Sequence, residues 1–386
     1  MTTVALNIIP LDGGKAIIKK GSASGGGGGG STPSRPKWTG HADVEGLKAI
    51  GWTDEDIAYY QENGVNWNEE DDEYHKVTDD NKALYGVLTA DNIQTYKDRI
   101  VYLPKIDISE RTNTYQMFLK CYSLVGIPQL DTSKITNTRE MFHDCYSLVS
   151  IPQLDTSQVT NMQGMFYNCS SLVSIPQLDT SQVTNMSDMF NDCFSLVSIP
   201  PLDTSKVMDM DNMFGTCSSL INVPQLDTSQ VTDMGKMFSG CSSLVSIPPL
   251  DTSKVTDMSS MFSGCSSLVS IPPLDTSKVT NIFYIFKNCY SLISVPQLDA
   301  SKVTNKTDPL GGCYSLIYLN LKFLKHPYSL NTSALLSKDS LLYLIENEAT
   351  TFAVTITLAS YAYTRLAEDA DIVAALANHP NISIAQ

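Results

Sequence analysis

The chain has 386 residues, 42% of them hydrophobic, and its 41 acidic against 26 basic residues leave a net charge of −15 at pH 7. That length and apolar content supply cores for two or three domains, while the acidic balance repels phosphate backbones and excludes nucleic acid as a partner. No stretch reaches the roughly 18 consecutive apolar residues of a membrane span, so no membrane is expected either.

Residues 1–20 carry two apolar patches, Val4 to Ile9 and Ala16 to Ile18, parted by Pro10-Leu11-Asp12-Gly13-Gly14. They read as strand, turn, strand. Such a β-prone segment can attach by adding strands to another protein, with Val4, Leu6, Ile8, Ile9, Ile17 and Ile18 as the attaching side chains. Its lysines follow the apolar patch rather than precede it, which makes a poor signal peptide. Residues 21–37 contain GSASGGGGGGST and form a flexible linker, since six consecutive glycines cannot pack. Residues 38–100 read as a small, acidic, mostly helical module. An amphipathic stretch from Asp43 to Ile50 stops at Gly51, and Thr53 with Asp56 resembles a capping box for a second helix ending near Asn63-Gly64. Covering the first edge of the neighbouring array is its expected task.

Between residues 101 and 316 one pattern recurs every 24 residues. Cysteines stand at Cys121, Cys145, Cys169, Cys193, Cys217, Cys241, Cys265, Cys289 and Cys313, and the chain has no others. Prolines from Pro104 to Pro296 and aspartates from Asp107 to Asp299 keep the same step. A leucine-rich stretch with a return stroke at a fixed period marks a solenoid. The unit from Leu148 to Ser171, LVSIPQLDTSQVTNMQGMFYNCSS, predicts an extended LVSIPQL, a DTS turn or cap, and a short helical turn over VTNMQGMFYNC. The expectation is an α/β solenoid: a leucine-rich repeat of nine 24-residue units with parallel strands. One unit alone cannot cover its own apolar faces, so stacking is obligatory.

Three chemistries compete for the cysteine ladder. Disulfides are disfavoured because nine is odd and stacked side chains point in parallel. Zinc is disfavoured because none of the five histidines shares the register. Buried thiols serving as small core residues are favoured, in a compartment that keeps them reduced during assembly. The aspartate ladder could hold calcium between units or cap the LDTS turn locally. No cofactor or metal is expected, and no enzyme: the serines recur with the unit, and His143 is the sole histidine inside the array. Tyr122, Tyr146, Phe194, Tyr290 and Tyr314 share a register with Ser170, Ser218, Ser242 and Ser266. These aromatics are candidates for contact with sugar rings or a partner, or for covering domain junctions.

Residues 317–386 lose the period and read as an αβ cap. A helix is expected over Ser337 to Asn347, a strand over Phe352 to Leu358, a helix over Tyr361 to Asn378 and a strand over Asn381 to Ala385.

The unit CSSLVSIPPLDTSKVTDMSSMFSG, Cys241 to Gly264, resembles the BspA-like leucine-rich repeats of the DUF285 type, over residues 101–316. TITLASYAYTRLAEDADIVAALA looks like the tail closing such arrays in gut bacteria and their phages. The resemblance implies a surface protein of adhesion or binding, without catalytic residues. The β-prone head, polyglycine linker and acidic module look more like a head or tail fibre or capsid decoration of a phage of gut Bacteroidetes, of the crAss-like kind. On that reading residues 1–20 hold capsid or tail proteins. The solenoid meets a host surface protein, glycan or mucus, and the chain forms a homo-oligomer, a trimer in a fibre. The alternative is a bacterial cell-surface adhesin.

Overall fold

The computed structural model describes residues 7–11, 15–19, 65–68, 73–76, part of 90–103, 106–305, 307–322, 328–347 and 353–386. Its centre is a stack of 24-residue coils. In the unit read above, Leu148, Ile151, Leu154, Val159, Met162, Met165, Phe166 and Cys169 are all buried, so the apolar spacing seen in the sequence is the inward face.

The expected short helix is absent from the units. Gly164 and Asn168 have φ of 58° and 57°, left-handed conformations that no right-handed α-helix admits. Backbone donors alternate instead. The N–H groups of Met162, Gly164, Phe166 and Asn168 donate to Asn185, Ser187, Met189 and Asn191 of the next unit at 2.7–3.1 Å. Those of Met165, Tyr167 and Cys169 donate three residues back, to Met162, Gly164 and Phe166. Gln163 N–H is held by Asn161 Oδ1 at 2.9 Å. Every backbone donor from Met162 to Cys169 is thereby satisfied, and half of these bonds are available only from a stacked neighbour.

Parallel strands are likewise reduced. Between units the regular pairing shrinks to single parallel bridges such as Asn137 with Asn161 and Asn161 with Asn185. Along LVSIPQL the ladder is short: Ser171 N–H donates to Tyr146 and Val173 N–H to Val149 at 3.1 and 3.2 Å. Proline then removes a donor, and the next rung is a side chain, Gln153 Nε2 to Gln177 O at 2.5 Å. Among the described residues of the stack, one pair of full strands forms, β6 (Ser294–Asp299) parallel to β7 (Tyr318–Lys322).

Two ladders fill the core. Phenylalanine rings from Phe118 to Phe286 stack with centroids 5.2–5.8 Å apart and planes within 11°. Beside them all nine cysteines are buried. From Cys145 to Cys313 each Sγ donates to the carbonyl of a phenylalanine in the preceding unit at 3.0–3.2 Å, as in Cys145 to Phe118. The thiol is thus a small core group that also links units.

At the head, β1 (Asn7–Leu11) pairs antiparallel with β2 (Lys15–Lys19). The two expected strands are present, but Pro10 and Leu11, expected in the turn, belong to β1; residues 12–14 lie outside the described residues. Proline is tolerated in β1 because both strands of a two-stranded sheet are edges. Val4 and Leu6 lie outside the described residues, as do the helices expected over 43–50 and 53–63. Within 38–102 the described strands, none foreseen, are β3 (Val65–Asn68), β4 (Glu73–Lys76) and β5 (Ile100–Tyr102), antiparallel in the order β4-β3-β5.

After β7 come β8 (Tyr328–Leu330), α1 (Lys338–Asn347), β9 (Val354–Leu358), α2 (Ser360–Leu366), α3 (Ala370–Asn378) and β10 (Ile382–Ala385). The parallel sheet runs β10-β9-β8. The single helix expected over Tyr361 to Asn378 is two, because Asp369 starts a new one: its carboxylate accepts from Asp371 and Ile372 N–H at 3.0 and 3.4 Å. Lys338 at the start of α1 reaches Asp369 and Asp371 at 2.9 and 2.5 Å, tying α1 to α3.

Candidate functional site

The coil gives the stack two chemically distinct sides. From Cys121 to Leu130, and over the equivalent stretch of each unit down to Cys289 to Leu298, no Asp, Glu, Lys, Arg or His occurs. This side exposes a β-branched column, Val149, Val173, Val197, Ile221, Val245, Val269 and Ile293, each 38–49% exposed. Beside it lies the column holding the five predicted contact aromatics. Tyr122, Tyr146, Phe194, Tyr290 and Tyr314 are 36–57% exposed. Tyr122 stacks on Tyr146 and Tyr290 on Tyr314, at 5.0 and 5.6 Å.

A second surface is built by the tight turns; it borders the aromatic column, where Tyr146 lies against Asp144 and near Tyr167, and there the residues change from unit to unit. Its left-handed positions put Glu140, Gly164, Asp188, Asn212, Lys236 and Ser260 in one column, and Asp144, Asn168, Asp192, Thr216, Gly240 and Gly264 in another. Over residues 139–216 these columns form a half-buried polar network. His143 stacks on Tyr167 at 4.4 Å and places Nδ1 3.2 Å from Asp144 Oδ2. Asn168 donates to Asp144 at 2.9 Å and Asn212 to Asp188 at 2.8 Å. The Thr216 hydroxyl donates to Asp192. Beyond Gly235 the same columns offer Lys236, Ser260, Tyr284 and Asp308 in one and Gly240, Gly264, Asn288 and Gly312 in the other, and polar contacts resume where Lys287 lies 3.5 Å from Asp308 and over the Tyr284 ring.

Electrostatics set this patch apart. Burial, and then the Asp233 carboxylate, push Asp211 up to about 6. Burial also raises Asp188 and Asp233. Tyr167 is raised by burial and by the carboxylates of Asp192, Asp188 and Asp144. Crowded, partly desolvated carboxylates gain from any donor or cation brought to them. The arrangement suits hydroxyl-rich or cationic groups. Sequence reasoning passed over this patch; its signal was the unit-to-unit variation at Arg139, Glu140, His143, Asp144 and their equivalents.

The aspartates of the LDTS turn behave differently. Asp155 Oδ1 accepts from Ser157 N–H at 3.0 Å and from its hydroxyl at 2.7 Å, the local cap weighed against calcium. Hydrogen bonds from the following serine lower Asp131, Asp179, Asp203, Asp251 and Asp275. Among the described residues no group of three or more His, Cys, Asp or Glu is placed to hold a metal ion. Burial raises Cys241 and Cys313 to about 12 and the other thiols from Cys145 onward likewise upward; such groups are inert at neutral pH. The attachment residues Ile8, Ile9, Ile17 and Ile18 fall in β1 and β2, where Ile8 pairs with Ile18 and Ile9 with Ile17. No helix among the described residues is long and apolar enough to cross a membrane.

Residues 112–222 and 218–317, more than half of the chain, match a family model described as "Mycoplasma protein of unknown function, DUF285". No curated protein matches. Among solved structures, the T. pallidum leucine-rich repeat protein is similar at 23% identity and a TM-score of 0.34, over 43% of this chain and 72% of that one. A leucine-rich cell surface protein from Faecalibacterium prausnitzii is similar at 19% identity and a TM-score of 0.27, over 56% of this chain and 78% of that one.

Proposed function

This chain belongs to the DUF285 family, in its BspA-like leucine-rich repeat form, and from that membership we propose a surface-displayed binding protein that recognises its ligand with the turn side of the solenoid. One observation carries the proposal: the frame is invariant where it packs, whereas polar variety and carboxylate crowding gather on the turn side over residues 139–216. A fixed scaffold with one variable, partly desolvated face is what recognition requires. The ligand class is a hydroxyl-rich glycan or a basic segment of a host surface protein.

At finer resolution the reading is a virion fibre or capsid decoration. The β1–β2 hairpin within residues 1–20 attaches to a capsid or tail protein. Residues 21–37 tether, residues 38–100 and 317–386 close the two ends of a nine-unit stack, and the solenoid meets the host surface. A bacterial cell-surface adhesin is the second reading, favoured by the family's description as a Mycoplasma protein. Mass spectrometry of purified particles detects the chain on the first reading; surface labelling of intact producing cells detects it on the second. For recognition itself, labelled full-length chain is titrated onto host cells. Combining Tyr167→Ser, Asp188→Asn and Asp211→Asn should weaken binding about tenfold or more, and unchanged binding by that folded variant rejects the turn side.

A further inference from the structure

The uncharged side raises a separate question, since it exposes a continuous apolar column on a chain of net charge −15. We propose that this side pairs with the same side of a second copy, antiparallel, about a two-fold axis level with Ser218 and Ile221.

Area supports a partner. Aromatic side chains present about 200 Å² each and valines somewhat less. At 36–57% exposure, the five aromatics and seven aliphatics together offer roughly 800 Å², what one partner contributes to a standard interface. An apolar patch of that size exceeds what a monomer ordinarily leaves in water.

Charge selects a second copy. Like-charged chains repel across most of their surfaces, and the band from each Cys to its Leu is where two copies meet without bringing charges together.

The column pattern sets the orientation. An antiparallel two-fold axis lying in the interface faces each column with itself in reverse order. The aromatic column reads Tyr122, Tyr146, Ser170, Phe194, Ser218, Ser242, Ser266, Tyr290, Tyr314. Reversed about Ser218, the stacked pair Tyr122 and Tyr146 falls opposite the stacked pair Tyr314 and Tyr290. Phe194, the large residue near the centre, falls opposite Ser242, a small one. Ser170 falls opposite Ser266, and Ile221 meets its own counterpart at the axis. A parallel arrangement would have to oppose the aromatic column with a different one.

Sedimentation equilibrium of the full chain at micromolar concentration should give a dimer. Ile221→Lys brings two like charges together at the axis and should weaken the dimer about 100-fold, while mixing Ile221→Lys with Ile221→Glu chains should restore it. A short thiol cross-linker should join Ser170→Cys to Ser266→Cys chains but not Ser170→Cys to itself, the native thiols being buried. A monomeric wild-type chain overturns the proposal, and so does a dimer indifferent to Ile221→Lys or self-linking by Ser170→Cys alone. If the chain is monomeric and Ile221→Lys abolishes cell binding, the face takes a foreign ligand and the self-pairing is wrong. The sedimentation and cross-linking outcomes decide the self-pairing without the host-cell titration that tests the turn side.

Discussion

Thr156 and Thr204 occupy the same buried slot in different units, yet their hydroxyls differ. Thr156 Oγ1 donates to Asp179 O at 2.8 Å, whereas Thr204 Oγ1 is buried without a hydrogen-bond partner. Valine has nearly the same shape and no hydroxyl, so the pair separates bonding from packing. Thr156→Val should lose about 1–2 kcal/mol in urea unfolding, and Thr204→Val should be neutral or stabilising. Asp211 gives a prediction in pH. Its folded carboxyl titrates near 6, above the ordinary carboxylate value of about 4, so between those values the folded state holds a proton the unfolded state has lost. Its contribution to stability is therefore present at low pH and falls as pH rises through about 4 to 6. Asp211→Asn should flatten that decline in thermal melts and leave the protein more stable at pH 7. Asp131, Asp179, Asp203, Asp251 and Asp275 carry the opposite sign: lowered in the folded state by the serine hydrogen bonds, they lose those stabilising bonds only as pH drops below about 4.

At the scale of the element, the left-handed residues decide what the return stroke becomes. Met162, Met165, Phe166 and Cys169 have helical spacing in sequence, and a helix would bury them equally well. Side-chain periodicity does not reveal which backbone solution is used, because Asn, Asp, Lys, Ser and Thr all occupy the positive-φ positions alongside glycine. Ser260 and Gly264 lie in one unit at the two such positions, with φ of 54° and 78°. Ser260→Gly should stabilise by about 0.5–1 kcal/mol and Gly264→Ala should destabilise by about 1 kcal/mol. The inward face, the cysteine ladder and most of the C-terminal elements were legible because burial imposes a strict apolar period. The break at Asp369 was not, since Ile372 and Ala375 continue the helical pattern across it. The strands β3 to β5 were missed because they are three or four residues long and polar in part. The turn-side patch was missed for another reason: its residues meet only through stacking, 24 positions apart.

For the whole molecule, a period that is also the stacking unit means that one complete coil can be removed without a mismatch at the new junction. The core ladders, the inter-unit hydrogen bonds and the Asn or Asp bridges all re-form with the next coil. On the proposed reading the two surfaces keep separate tasks, self-contact on the uncharged side and recognition on the turn side. The most direct test titrates two single-coil deletions onto the host surface, one lacking residues 241–264 and the other lacking residues 169–192. The first removes Ser and Gly turns and should bind as the full chain does. The second removes Asp188 and Asp192, the carboxylates that accept from Asn212 and Thr216, so its binding should be lost although it folds equally well. Equal binding by both, or equal loss from two folded deletions, would contradict the account.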